Sequence, residues 1–144
     1  MPIWLKTKLI MSAKRIITKH EYYMQLAEVT AIRSTCDRAM VGAIIVKNDS
    51  VVATGYNGSV KGAPHCDDIG HQIENGHCVR TVHAELNAIL QAAKNGVGID
   101  GASIYCTLYP CGECQKAIIN SGIKKVYYRN NYTNKVKLIK CTQI

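Results

Sequence analysis

Apolar positions along the chain change period several times. From His20 to about Ser34, Leu26, Ala27, Thr30 and Ala31 return at helical spacing and predict a helix with one buried stripe. Val41–Val46 is a short apolar run, Asn48-Asp49-Ser50 supplies turn residues, and Val51–Tyr56 follows, which reads as a β-hairpin. Residues 57–80 lose all periodicity among Gly58, Gly62, Pro64, Gly70, Asn75 and Gly76. So long an irregular stretch inside a compact domain implies a function for it. A helix pattern resumes at Thr81, with Leu86, Ile89, Leu90 and Ala93 on its apolar side, and Asn95-Gly96 ends it. Ala102–Leu108 predicts a strand, Pro110-Cys111 opens a helix running to Asn120, Ile123–Tyr128 predicts a strand and Val136–Cys141 another. A hairpin followed by alternating helices and strands predicts an α/β sandwich on a mixed sheet of four or five strands.

At 144 residues with 47% apolar and 19% charged residues, the chain is one globular domain, 1–144, with a real core. No apolar run approaches the roughly 18 residues of a membrane span, and the first residues lack the pattern of a secretory signal. Seven cysteines then belong to a reducing, cytoplasmic compartment, where an odd set of thiols points to metal binding or catalysis.

The net charge of +8 is uneven. Residues 1–20 carry five bases and residues 115–144 seven, neither with an acid, while the middle holds all ten acids. The domain thus has a basic N-terminal extension, 1–19, and a short basic C-terminal segment, 133–144. Basic ends suit either polyphosphate or nucleic acid, or simply a solvated surface.

His83-Ala84-Glu85 opens one predicted helix and Pro110-Cys111-Gly112-Glu113-Cys114 the next. Catalytic zinc takes three protein ligands and leaves a position for water. Cys111 and Cys114 fall on one helix face at its N-terminus, where the dipole favours thiolate. With His83 they complete a formally neutral site, and Glu85, two residues from a ligand, is free to shuttle protons. A redox pair at Cys111 and Cys114 would leave His83 and Glu85 unexplained, and a non-catalytic zinc-stabilised binding module would have no use for Glu85. Cys36, Cys66, His71 and Cys78 lie in or beside the irregular stretch and form a candidate second, structural zinc site, with His65 and His77 as alternative ligands.

The H-x-E…P-C-x-x-C pattern is the known signature of zinc nucleobase deaminases. Together with Val41-Gly42-Ala43, Gly55-Tyr56-Asn57-Gly58, Asn87-Ala88-Ile89, Gly122–Val126, Tyr128 and Tyr132, the chain resembles the deoxycytidylate (dCMP) deaminases from about Arg33 to Tyr132. The resemblance implies a cytidine-deaminase-like α/β/α sandwich and zinc-dependent hydrolytic deamination of dCMP to dUMP. In that chemistry Glu85 moves protons from water to N3 of cytosine and to the leaving amine. Alternative substrates are dCTP, or cytosine or adenine in a polynucleotide.

By the same resemblance the Ala84 N–H binds the pyrimidine O2, Asn57 the sugar, and Tyr128 packs near the base. Arg38, with Arg33 and Arg80 as further candidates, meets the 5′-phosphate. Some family members carry a second zinc site, with Cys where this chain has His71. Relatives are often hexamers activated by dCTP and inhibited by dTTP, which implies a homo-oligomer and a regulator site at Gly55, Gly58, Lys61 and Lys94, with Mg²⁺ accompanying the triphosphate. Lys94 stands where some relatives have arginine, keeping the charge without the planar fork.

Overall fold

The computed structural model describes residues 16–133 and 135–144. The basic extension therefore lies outside the described residues up to Arg15, and Lys19 already begins the first helix, α1 (Lys19–Ala31). Thr18 caps it, its side chain accepting from Glu21 N. The stripe of α1 differs from the sequence expectation: Tyr23, Met24, Ala27 and Ala31 are buried, whereas Leu26 and Thr30 lie at the margin. Thr30 Oγ1 satisfies itself on the Leu26 carbonyl at 2.7 Å, which frees it from needing a partner in the core.

β1 (Gly42–Lys47) and β2 (Ser50–Tyr56) form the expected hairpin. Asn48 and Asp49 turn it with φ of 51° and 59°, the left-handed pair that matches strand twist. β1 then pairs antiparallel with β7 (Ser103–Leu108), which runs parallel to β8 (Lys125–Asn130) and, beyond it, β9 (Cys141–Gln143). The order β2-β1-β7-β8-β9 is a mixed five-stranded sheet. The last strand is three residues, Cys141–Gln143, rather than Val136–Cys141, because residues 136–139 are bound to a helix instead of to the sheet.

Alternation along β1 divides the core between two faces. Ile44 and Val46 join Tyr23, Met24, Ala27 and Tyr105 beneath α1. Ala43 and Ile45 face α3 (Ala84–Lys94) and α4 (Gly112–Asn120), in a second core with Ala88, Ala92, Ile104, Ile118 and Val126. Helices therefore cover both faces, an α/β/α sandwich.

The apolar side of α3 is not the one that the leucine pattern predicts. Ala84, Glu85, Ala88 and Ala92 are buried, while Leu86 and Leu90 are 36% and 50% exposed. Small side chains win because the helix backbone lies directly on β2: a Cβ on Gly55 would collide with the Ala84 carbonyl and Ala88 N. Nor does α3 begin at Thr81. Thr81–Val82 is a short strand, β6, paired with Gly58–Ser59, β3, and it carries the chain to His83 in extended form. The irregular stretch is also more ordered than its composition implies. It holds one helical turn, α2 (Cys66–Ile69), and a small hairpin of Ile73–Glu74 (β4) with His77–Cys78 (β5), turned at Asn75-Gly76.

Gly55→Ala tests this seating. Overpacking against backbone atoms that cannot move aside costs about 1–3 kcal/mol. The denaturant midpoint falls accordingly, and a midpoint equal to that of the unmodified protein would show that the helix is not seated on Gly55.

Candidate metal centre and active site

Two helix openings meet at one end of the sheet. His83 caps α3 and Cys111 caps α4, both in extended backbone (φ −65° and −68°), so each side chain is thrown across the mouth of its helix. His83 Nδ1 lies 3.4 Å from Cys111 Sγ and 3.4 Å from Cys114 Sγ, and the three donor atoms fall within 4.8 Å of one another. A tetrahedral zinc with ordinary bond lengths separates N and S ligands by about 3.6 Å. Donor chemistry and spacing both fit zinc.

The sulfurs are electrically unequal. Hydrogen bonding from Cys114 and then from His83 brings Cys111 down to about 3 against its burial, whereas the bond to Cys111 and burial push Cys114 well up. The hydrogen bond to Cys111 in turn raises His83 against its burial. Glu85 is 4% exposed, and burial pushes its carboxyl up from the usual range against the pull of its own backbone N–H and of His83. A buried carboxyl raised in this way and set beside metal-type donors is a candidate for acid–base work.

A second cluster lies in the irregular stretch. Cys36, Cys66, His71 and Cys78 have their donor atoms within 4.8 Å, with Cys36 Sγ 3.3 Å from His71 Nδ1 and Cys66 Sγ 3.6 Å from Cys78 Sγ. Tetrahedral zinc separates two sulfurs by about 3.8 Å, so this set fits as well. Burial pushes Cys66 up to about 12, while at Cys78 backbone hydrogen bonds from Arg80 and Gln72 outweigh burial and bring it to about 6. Asp37 Oδ1 sits 3.1 Å from His71 Nε2 and aims the other nitrogen at the cluster, the carboxylate–histidine arrangement common behind metal ligands.

The remaining predicted residues divide. Ala84 is buried at the first position of α3, where a helix N–H has no partner within the helix. The Asn57 side chain is engaged with backbone: Oδ1 accepts from Val41 N at 2.8 Å and Nδ2 donates to the Ala39 carbonyl. Arg38 is exposed and Nη2 donates to the Gly76 carbonyl at 2.9 Å; Arg80 likewise donates to Gly70. Tyr128 meets Tyr109 edge-on at 4.9 Å with Lys135 over both rings, and at 7% exposure little of its ring is left to face a base. Gly55 is occupied by its contact with α3, Gly58 is buried, and Lys61 and Lys94 stand together: the Lys61 ammonium holds Lys94 below the usual lysine range.

Two residues to which the sequence reading gave no role act in positioning. Asn87 Nδ2 donates to the carbonyls of Tyr56 (2.8 Å) and Val82 (3.3 Å), stapling α3 to the strand that delivers His83. Thr107 Oγ1 accepts from Gly42 N at 3.1 Å, joining the start of β1 to the end of β7. Polar residues inside or beside an apolar run were the available signal.

Comparison with known proteins agrees with the donor set. The profile of the cytidine and deoxycytidylate deaminase zinc-binding region matches residues 17–130. The chain belongs to this family. It is 52% identical over 116 residues to ComE operon protein 2 of Bacillus subtilis, covering 81% of this chain and 61% of that protein, so it spans less than two thirds of that relative. The deoxycytidylate deaminase of Enterobacteria phage T2 is 38% identical, with 76% of this chain and 78% of that protein covered. The crystal structure of dCMP deaminase from cyanophage S-TIM5, in complex with dCMP and dUMP, superposes with a TM-score of 0.77 at 33% identity, covering 100% of this chain and 99% of that one. No helix among the described residues is long and apolar enough to cross a membrane.

Proposed function

We propose that this chain is a zinc-dependent dCMP deaminase, hydrolysing dCMP to dUMP and ammonia as a single domain. The observation that carries the reading is the buried Glu85 carboxyl beside three converging zinc-type donors, His83, Cys111 and Cys114. The similarity to deoxycytidylate deaminases supports the substrate.

Zinc, when bound by those donors, makes water acidic enough to serve as a nucleophile near neutral pH. Glu85 does the proton work: it accepts one proton from water and passes it to N3, then takes the second from the new C4 hydroxyl and gives it to the amine as the C4–N bond breaks. The Ala84 N–H, reinforced by the α3 dipole, donates to the pyrimidine O2. Arg38 meets the 5′-phosphate, and its bond to Gly76 ties that contact to the second metal loop. Asn57 keeps one free donor and one free acceptor for the sugar after its backbone bonds, while Tyr128 acts behind Tyr109.

The second cluster holds a structural zinc. The paired ammonium groups of Lys61 and Lys94 favour an anion between them and support a triphosphate regulator there, accompanied by Mg²⁺. Exposed Leu86, Leu90 and Val60 support a homo-oligomer, with the hexamer as the family arrangement. Cysteines gathered as metal-type donors support action in a reducing cytoplasm. The seven bases of residues 115–144 favour one other reading, a polynucleotide deaminase. Ammonia release from dCMP but not from a single-stranded oligonucleotide selects the nucleotide enzyme, and the reverse result rejects it.

Glu85→Gln preserves shape and removes the shuttle, so turnover falls by about 10²–10⁴-fold or more with zinc content unchanged. Near-normal turnover would overturn the mechanism, and a full metal complement in Cys111→Ala would overturn the ligand set.

Metal analysis gives close to two zinc ions per chain, falling by one in Cys66→Ala. Asp37→Ala weakens the same site by about 10–100-fold. One zinc, unchanged in Cys66→Ala, removes the structural site.

Saturation with dCMP is sigmoidal and becomes more hyperbolic when dCTP is added, because a regulator must discriminate between two states. A hyperbolic curve indifferent to dCTP and dTTP removes the regulatory part and leaves the deaminase.

A further inference from the structure

We infer that Gln115 is a positioning residue for the His83, Cys111 and Cys114 centre and that it ties this centre to the C-terminal segment 136–139. The inference rests on the reading of those three residues as zinc ligands.

Gln115 follows Cys114 in α4 and has no exposed surface. Its amide is used to capacity. Nε2 donates to the carbonyls of Pro110 at 2.9 Å and Val136 at 2.6 Å, and Oε1 accepts from the N–H groups of Leu138 at 2.9 Å and Ile139 at 3.4 Å. A primary amide offers two donors and two acceptor lone pairs, and all four are engaged. One bond falls on the carbonyl immediately before Cys111; the other three fall on 136–139. Tyr109 Oη donates to the same Val136 carbonyl at 3.0 Å, and the Val136 side chain lies against Gly112, the residue after Cys111. Cys111 is thus flanked on both sides by groups that the C-terminal segment holds.

A leucine would fill the space without the desolvation cost of a buried amide. It would also take the partner from the Pro110 carbonyl and from the Leu138 and Ile139 N–H groups, while the Val136 carbonyl kept Tyr109 Oη. The amide serves because residues 136–139 lie outside helix and sheet, and Gln115 bonds their backbone to the turn that precedes Cys111. Cys111 caps α4 in extended backbone, its carbonyl accepting from Gln115 N at 2.9 Å, so anchoring the Pro110 carbonyl as well fixes the approach of its sulfur to Cys114 and His83.

The test uses the full chain loaded with zinc. Gln115→Leu removes all four bonds; Gln115→Glu keeps the acceptors for Leu138 and Ile139 and loses the donor to Pro110. Both are expected to release the zinc of this centre to a chelator about 10-fold faster or more, on the scale of other outer partners of metal ligands. kcat for dCMP falls with KM nearly unchanged, and release from the Cys66 cluster keeps its rate. Release and kcat equal to those of the unmodified protein in either folded variant would overturn the inference. Hydrogen exchange on the unmodified protein decides independently of any variant's folding: withdrawal of this zinc speeds exchange at Leu138 and Ile139 while Val46, beneath α1, is unchanged. Equal exchange at Leu138 with and without the metal also overturns it. If His83→Ala retains all its zinc, the proposed centre itself fails; a centre that holds zinc but is indifferent to Gln115 removes only this inference.

Discussion

The active end of this protein depends on how closely the helix opened by His83 can lie on the sheet. At Gly55 there is no side chain between β2 and the helix, and the helix answers with Ala84, Ala88 and Ala92. That seating sinks the first turn far enough for Glu85 to be buried while His83, at the cap, still reaches across to Cys111 and Cys114. A larger residue at position 55 would lift the helix and carry His83 and Glu85 with it. Asn87 secures the same arrangement from the other side, bonding the ends of β2 and β6.

Electrostatics then decides what the meeting point can do. Two helix N-termini converge on a pair of sulfurs and favour their ionisation, while the low-dielectric floor disfavours it. As protein groups alone the two sulfurs are driven apart, Cys111 down and Cys114 up, and metal binding requires both as thiolates. Two thiolates and a neutral imidazole cancel the charge of Zn²⁺. An additional carboxylate, here the buried Glu85, can therefore approach without being consumed as a ligand.

The chemistry was far more legible in the sequence than the packing. Both metal sets follow from residue type and position, because Cys and His carry the same ligand chemistry wherever the chain brings them. The hairpin at Asn48-Asp49 and the parallel strands around the second helix opening follow from turn chemistry and apolar runs. The faces of α1 and α3 do not, since hydrophobicity ranks leucine above alanine while contact with a backbone at Gly55 reverses the order. Residues 57–80 look structureless because their order comes from side chains that converge through space, Cys36 from well outside the stretch among them. The resemblance singles out Asn57 and Tyr128, but the backbone bonds of the first and the burial of the second depend on partners far off in the chain.

Irregular backbone surrounds this site on three sides, and a polar side chain answers for it each time. Asn57 ties down residues 39–41, Asn87 the end of β6, and Gln115 the turn at Pro110 together with residues 136–139. A buried segment outside helix and sheet must find partners for its N–H and C=O groups, and amides serve because one group both donates and accepts. His83 and Cys111 accept the first bond of their helices but stand in extended backbone, so that their side chains point across the helix mouths and the residues before them cannot continue the helix. The same departure that frees the ligands strands the backbone beside them, so a centre of this kind needs its amides as much as its sulfurs.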